Sequence, residues 1–193
     1  PELARGYFHR GRANLYKPSL EDAIADLSKA IEIDPMHFHA HTFRGAARVT
    51  VYDFEAAIAD FSRAIEIRHE SADAYFNRGC IRFYLQDWNQ AAMDLAKSRD
   101  LDTCDENPSC IYLWMVRMCL GDHAAADLEL KSHFKGYPHD VQDSERLLTG
   151  RNHIFRMSNF LLGDLPSEEL IGSVEVTHAV MQIFQIYCTV GMM

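Results

Sequence analysis

The chain has 193 residues, enough to bury a core either as one domain or as a short array of repeats. Hydrophobic residues make up 48% and charged residues 24%, a composition that excludes a disordered or fibrous chain. The formal net charge of -9 argues against non-specific binding to nucleic acid or to anionic membranes, because both need a basic surface.

Six helices are predicted in the first half of the chain, at about 4–16, 20–32, 37–50, 54–67, 71–85 and 88–100. Ser19 and Ser71 are predicted to cap helix starts, because a serine hydroxyl accepts a hydrogen bond from the backbone there. Asp53 and Asp87 place negative charge at the positive ends of the helices that follow them.

A sequence repeat with a constant step runs through these helices. Each unit has an arginine-glycine pair, followed at fixed intervals by an alanine and then by an aspartate. The three sets are Arg10, Gly11, Ala23 and Asp26; Arg44, Gly45, Ala57 and Asp60; and Arg78, Gly79, Ala91 and Asp94. Glycine inside a helix costs about 1 kcal/mol, so we expect it to allow close approach of two helices. We expect each arginine to pair with its aspartate across a helix hairpin.

This unit resembles the tetratricopeptide repeat, and the resemblance covers about residues 4–105. It implies an all-α fold, in which antiparallel helix hairpins form a right-handed superhelix (a tetratricopeptide solenoid). Residues 1–105 are then a domain of three repeats, at about 4–37, 38–71 and 72–105. The remaining residues, 106–193, are predicted to be a degenerate helical half.

In that second half the strict period is lost, but helix hairpins are still predicted. The segments pair as 110–120 with 123–134, and as 151–162 with 167–173. Trp114 takes the place of the glycine, and the turn before Ala124 is expected to be two residues shorter, so this hairpin should pack differently. An apolar terminal helix at about 174–190 is predicted to be buried within the chain or in a dimer interface. Polar residues interrupt it too often for a membrane span.

The second half also resembles the bacterial NlpI-type lipoprotein adaptors, through Trp114, the run 160–164 and the run 167–170. Those are homodimeric envelope proteins that present partners to proteases. The resemblance implies a homodimer formed through the C-terminal half and a location in the bacterial envelope or periplasm.

The five cysteines show no spacing typical of zinc sites, and an odd number cannot pair completely within one chain. Reduced thiols of this kind favour the cytoplasm, so the location is left open between these two compartments. The chain starts at Pro1 without a methionine, and we expect that a preceding segment has been removed.

Catalytic and metal chemistry find little support in the sequence. His37, His39 and His41 are the nearest approach to a metal cluster, but His41 falls in register with Tyr7 and Tyr75, a packing position. No phosphate loop, nucleophile elbow or dinucleotide fingerprint is present. We therefore predict no catalytic residue, no metal and no cofactor.

A binding groove is implied by the resemblance, because the family exposes fixed positions on the first helix of each hairpin. These positions are Arg5, Phe8, Arg12, His39, Thr42, Phe43, Ala46, Asp73, Phe76, Asn77, Cys80 and Phe83. Phe8 and Phe76 are predicted to anchor apolar side chains of a partner or, alternatively, to pack between helices. Arg5 and Arg12 are available for carboxylates.

Members of the family that hold chaperone tails clamp a terminal carboxylate with lysine, asparagine and arginine. The corresponding positions here are Phe8, Arg12, Phe43, Asp73 and Asn77, which do not fit that set. The leading prediction is therefore an adaptor that binds another type of protein or peptide in its groove. The alternatives are a self-assembly module, or a targeting arm joined to a divergent catalytic domain at 106–193.

Overall fold

The structure is a computed structural model that describes residues 2–15, 20–102 and 108–133. These residues contain eight α-helices and no strand. The helices are α1 (Glu2–Asn14), α2 (Leu20–Ile33), α3 (Phe38–Thr50), α4 (Phe54–Ile67), α5 (Ala72–Tyr84), α6 (Trp88–Leu101), α7 (Ser109–Cys119) and α8 (His123–His133). The predicted all-α fold class is confirmed, and each of these helices begins and ends within two residues of its prediction.

Consecutive helices pack as hairpins, α1 on α2, α3 on α4, α5 on α6 and α7 on α8. Each hairpin then packs on the next through its second helix, which contacts the first helix that follows. Contacts between neighbours of this kind make an open stack, the architecture of a solenoid. We call α1, α3, α5 and α7 the first helices, and α2, α4, α6 and α8 the second helices.

The glycine prediction is confirmed in all three hairpins. A Cβ atom added at Gly11 would lie 2.8 Å from Leu27 Cγ, and one at Gly79 would lie 2.9 Å from Leu95 Cγ. At Gly45 it would lie 3.1 Å from the Phe61 ring. The glycine therefore leaves room for the large apolar residue of the second helix, which is fully buried in each hairpin.

Two turns in the described residues follow the same plan and explain how the hairpins close. Tyr52 and Gln86 both have a φ of 62°, in the left-handed region. In each case the next residue, Asp53 or Asp87, donates its backbone N–H 2.9 Å to a carbonyl of the first helix. Ser71 caps α5 as predicted, because its hydroxyl accepts from Ala74 N at 3.3 Å.

The fourth hairpin uses this same turn, which corrects the prediction of a shorter one. Gly121 has a φ of 80°, and Asp122 N donates 2.9 Å to Arg117 O. The turn has the same length as the one at Gln86, so Ala126, not Ala124, is in register with Ala91. Both Ala91 and Ala126 are fully buried.

Trp114 stands where the other hairpins have glycine, as predicted. Its side chain is buried, and Nε1 donates to Asp127 Oδ1 at 2.9 Å. Every residue of α7 from Ser109 to Met118 except Arg117 is buried, so this helix lies in the main core of the described stack. An indole in place of glycine ties the first helix of this hairpin to the second by a hydrogen bond.

The predicted hairpin 151–162 with 167–173, the terminal helix 174–190 and the dimer surface lie outside the described residues, as does Ser19. Within 2–15, 20–102 and 108–133, none of the helices has the length and apolar character that crossing a membrane demands.

Candidate functional site

A buried aspartate joins the two helices of the second hairpin. Asp60 Oδ2 accepts from Arg44 Nε at 3.0 Å, and Asp60 Oδ1 accepts from Arg44 Nη2 at 2.7 Å. Arg48 Nη1 donates to Asp60 Oδ2 at 2.7 Å. The side chain of Asp60 is only 3% exposed, so the predicted ion pair is confirmed and is far better shielded than a surface pair.

The third hairpin repeats this arrangement, and the first has Asn14 in place of the second arginine, with its Nδ2 donating to Asp26 Oδ2 at 3.3 Å. Asp94 accepts from Arg78 and from Arg82, each at 2.7 Å at its shortest, and Asp26 accepts from Arg10 at 2.5 Å. Arg48 and Arg82 therefore supply a second cation to the buried aspartate of the second and third hairpins. We call each aspartate with its arginines a node.

The nodes of the second and third hairpins, which we call the inner nodes, are also hydrogen-bonded to the hairpin before them. Arg44 Nη1 donates to Ser28 Oγ at 3.0 Å, and Arg78 Nη1 donates to Ser62 Oγ at 2.9 Å. Among the described residues no hairpin precedes α1, and the Arg10 side chain is 64% exposed, compared with 15% for Arg44. The arginines of the inner hairpins are thus committed to structure on both sides.

The pKa of Asp60 reflects two opposed effects. Burial by itself would raise it, but hydrogen bonds from His41 and Arg44 and the charges of Arg44 and Arg48 outweigh burial, so the pKa is lowered. The pKa of Asp26 is also lowered, chiefly by the hydrogen bond from Arg10. Both carboxylates are therefore ionised at neutral pH.

The histidine register prediction is confirmed at His41, which is buried. Its Nδ1 lies 3.4 Å from Asp60 Oδ1, and its Nε2 lies 3.1 Å from Pro35 O. His37 instead caps α3, where its Nδ1 accepts from Ala40 N at 3.1 Å. In the described part of the chain, no three histidine, cysteine, aspartate or glutamate side chains converge in a way that would hold a metal ion.

The predicted groove residues lie on α1, α3 and α5, and most of them reach the surface. Arg5, His39 and Asp73 occupy equivalent positions of the three repeats, and all three are exposed. Arg12 is exposed too. The rest of the surface-reaching set is partly buried: Thr42, Phe43, Ala46, Phe76 and Asn77.

Three predicted groove residues are not at the surface. Phe8, Cys80 and Phe83 are 7%, 3% and 8% exposed, so they fill space between helices. The Phe8 ring packs 4.7 Å from the His37 ring and 5.8 Å from the Phe43 ring, measured between centroids. The alternative assignment, packing between helices, therefore holds for Phe8.

Two aromatic residues of α5, Phe76 and Phe83, pack onto the fourth hairpin. The Tyr112 ring lies edge-on to Phe76, with 5.4 Å between centroids, and 6.2 Å from Phe83. Asn77 donates its amide to Asp73 O at 2.7 Å. This end of the first-helix layer is thus largely closed by contacts inside the chain.

The other end, around α1 and the start of α3, carries positive charge that forms no ion pair within residues 2–15, 20–102 and 108–133. Of the eleven arginines in the described residues, eight form ion pairs with carboxylates, and the three that do not are Arg5, Arg12 and Arg68. Arg12 lies over the Phe8 ring at 5.8 Å, and Arg68 lies over the Phe38 ring at 4.1 Å.

His39 lies between these two arginines. Its ring is 6.3 Å from Phe8 and 5.0 Å from Phe38. Burial lowers the pKa of His39, and so do the charges of Arg68, His37 and Arg12. Sequence reasoning missed Arg68, because it lies in the turn after α4, whereas the family positions lie on first helices.

The fold is a solenoid of helix hairpins of tetratricopeptide type, in which α1 and α3 expose Arg5, Arg12 and His39. Residues 4–37 match the family model of the tetratricopeptide repeat, and these are the bounds predicted for the first repeat. A search of the curated proteins found no match to this chain.

Several solved structures are similar in fold. The first tetratricopeptide domain of Spaghetti (RPAP3) bound to an HSP90 peptide is 22% identical, with a TM-score of 0.59, over 62% of this chain and 94% of that one. MamA from Desulfovibrio magneticus RS-1 is 18% identical, with a TM-score of 0.61, over 76% and 78%. The TPR2B domain of yeast Sti1, in complex with an Hsp70 peptide, is 18% identical, with a TM-score of 0.58, over 62% and 99%.

Proposed function

We propose that this protein is an adaptor that binds a segment of a partner protein on the surface formed by its first helices α1, α3 and α5. The observation that carries the proposal is the row of exposed side chains at equivalent positions, Arg5, His39 and Asp73. These polar groups are spaced by the repeat itself, so an extended or helical segment can meet one of them on each hairpin.

The similar structures support this function. The Spaghetti domain is bound to an HSP90 peptide and the Sti1 domain to an Hsp70 peptide, so this fold accommodates peptide ligands in both. The residues at the tail-clamping positions differ here, with Phe8, Phe43 and Asp73 among them. The partner is therefore expected to be of another kind than a chaperone tail.

The test is affinity capture with three forms of the protein, followed by mass spectrometry. The groove variant is Arg5→Ala, His39→Ala, Asp73→Ala, which truncates one exposed residue on each first helix. The matched control is Glu32→Ala, Glu66→Ala, Asp100→Ala, which truncates three exposed residues at equivalent positions of the second helices. Phe8 and Phe76 are unsuitable for this test because their rings pack inside the chain.

We expect the wild type and the control to retain the same partners and the groove variant to lose them. A partner set common to all three forms would contradict binding on the first helices. Circular dichroism of all three forms shows whether each variant is folded. Of the competing functions, self-assembly would make the repeats themselves an assembly module, and a divergent catalytic domain rests on 106–193, most of which lies outside the described residues.

A further inference from the structure

We infer that the α1 and α3 end of the groove recognises acidic side chains of the partner, and that it does so without needing a terminal carboxylate. The inference deepens the proposed function and rests on it. It names the chemistry of the partner: a segment rich in aspartate or glutamate.

The first step is the distribution of ion pairs. Every arginine of the described inner-hairpin nodes is bound to a carboxylate, whereas Arg5, Arg12 and Arg68 have no ion pair with a described residue. In a chain with a net charge of -9, acidic groups outnumber basic ones, so unneutralised arginines are the exception. Such groups gain most from a ligand that brings its own carboxylates.

The second step is that these groups are connected. Contacts run without a break from Arg12 to Phe8, from Phe8 to His39, from His39 to Phe38 and from Phe38 to Arg68. Arg5 precedes Phe8 by three residues and Arg12 by seven, so it lies on the same face of α1. The charged groups that act on His39 are Arg68, His37 and Arg12, and all of them are basic.

The third step is that the aromatic rings hold the guanidinium groups in place. Arg12 and Arg68 each lie against a ring face, which limits the freedom that a long side chain would lose on binding. A guanidinium group fixed in this way forms bidentate, charge-assisted hydrogen bonds to a carboxylate of the ligand, which an uncharged amide of the ligand does not form.

The fourth step separates this site from a terminal-carboxylate clamp and from a nucleic-acid site. Phe8 is buried, and Phe43 and Asp73 carry no positive charge, so three of the clamp positions cannot hold a chain terminus. The net charge of -9 disfavours a long polyanionic backbone more than a short acidic segment, because repulsion grows with the number of negative charges that the ligand brings.

The test measures fluorescence anisotropy with a short labelled peptide of glutamate, leucine and serine whose C-terminus is amidated. A second peptide has every glutamate replaced by glutamine, a third has a free C-terminus, and a labelled oligouridylate serves as the nucleic acid. We expect the glutamine peptide to bind at least about tenfold more weakly and amidation to change the Kd less than about twofold, since a charge-assisted hydrogen bond is lost only in the former.

Variants locate the site. Arg12→Gln and Arg68→Gln should each weaken binding of the glutamate peptide about tenfold, and Arg12→Lys should recover part of that loss. Lys97→Gln is the matched control, since it removes one exposed positive charge from α6 and should leave the Kd unchanged. Thermal unfolding of each variant separates lost binding from lost structure.

The inference is overturned if the glutamate and glutamine peptides bind equally, or if neither of them binds. It is also overturned if binding requires a free C-terminus, or if the oligouridylate binds more tightly than the glutamate peptide. In each of these cases, loss of captured partners by the groove variant would still support the proposed function. Equal partner lists for all forms would remove the proposed function instead, so the two failures are distinguishable.

Discussion

The first hairpin and the inner hairpins share one sequence motif but use their arginines differently. In the second and third hairpins, Arg44 and Arg78 bind an aspartate on one side and a serine of the preceding hairpin on the other. In the first hairpin, Arg10 binds Asp26 and is mostly exposed, and Arg5 and Arg12 have no ion pair with a described residue. The motif arginine is thus committed to its aspartate in all three hairpins, and the arginines proposed for binding are Arg5 and Arg12 of α1 together with Arg68, which follows α4.

The largest expected effect comes from removing an inner node. Asp60→Ala leaves Arg44 and Arg48 without their carboxylate in a mostly buried site, which should lower the free energy of unfolding by about 3 kcal/mol. Asp26→Ala should cost much less than half of this loss, because water can solvate the exposed Arg10. Urea unfolding of both variants measures the difference. Equal losses would show that the two nodes do not differ in shielding.

A glycine pair sharpens the comparison between interior and surface. Gly79→Ala would place a Cβ atom 2.9 Å from Leu95 Cγ, so the helices must separate, and we expect a loss of about 1–2 kcal/mol. Gly6→Ala meets no atom within 4 Å and should stabilise α1 by about 0.5–1 kcal/mol. Thermal unfolding gives the sign of each change. Destabilisation by Gly6→Ala would contradict its assignment to an open helix face.

Acid should weaken the stack through the nodes. The pKa of Asp60 is lower in the folded chain than its unfolded value near 4, so its contribution is fully present above about pH 4 and is lost as the pH falls through the folded pKa. Stability should fall there by at most about 1.4 kcal/mol per pH unit for this one group. Asp60→Asn should flatten the slope below pH 4, as urea unfolding at a series of pH values would reveal. An unchanged slope would mean that other carboxyls govern acid unfolding.

The smallest effect concerns the link between hairpins. Ser28→Ala removes the acceptor of Arg44 Nη1 and should cost about 0.5–1 kcal/mol. Ser62→Ala should have the same effect through Arg78. Ala96, two hairpins after Ser28 in register, has no hydroxyl, so Ala96→Ser serves as a control that should be neutral. If neither serine substitution changed the free energy of unfolding, these hydrogen bonds would not contribute to the stability of the stack.

Much of the fold was predictable because one contact repeats. In each of the first three hairpins a glycine faces a large residue of the second helix, so the glycine recurs in the sequence at a fixed interval. Gly45 and Phe61 make this contact in the second hairpin. The step predicts helices, hairpins and the Arg44 to Asp60 pair. The burial of this ion pair was not predicted. The sequence does contain a signal for the contacts of Arg44, because the interval from Ser28 to Arg44 equals the interval from Arg44 to Asp60, and Arg44 bonds to both.

The rest depended on contacts that register alone does not describe. Cys80 and Phe83 were expected at the surface, and Phe8 either there or packed between helices, but aromatic neighbours cover Phe8 and Phe83. Arg68 lies in a turn, outside the positions that the family pattern covers, and only its position over Phe38 reveals its place in the site. The prediction misaligns the fourth hairpin because it matches Ala124 to Ala91, although the turn at Gly121 fixes the register on Ala126.

Mapping of backbone amide shifts by NMR, with the amidated glutamate peptide as ligand, tests most directly whether binding occurs where Arg5, Arg12 and Arg68 have no ion pair with a described residue. The shifts are expected to concentrate on α1, the first turns of α3 and the turn at Arg68, with little change on α2, α4 and α6. Shifts spread over the second helices, or confined to α5 and α7, would contradict the account.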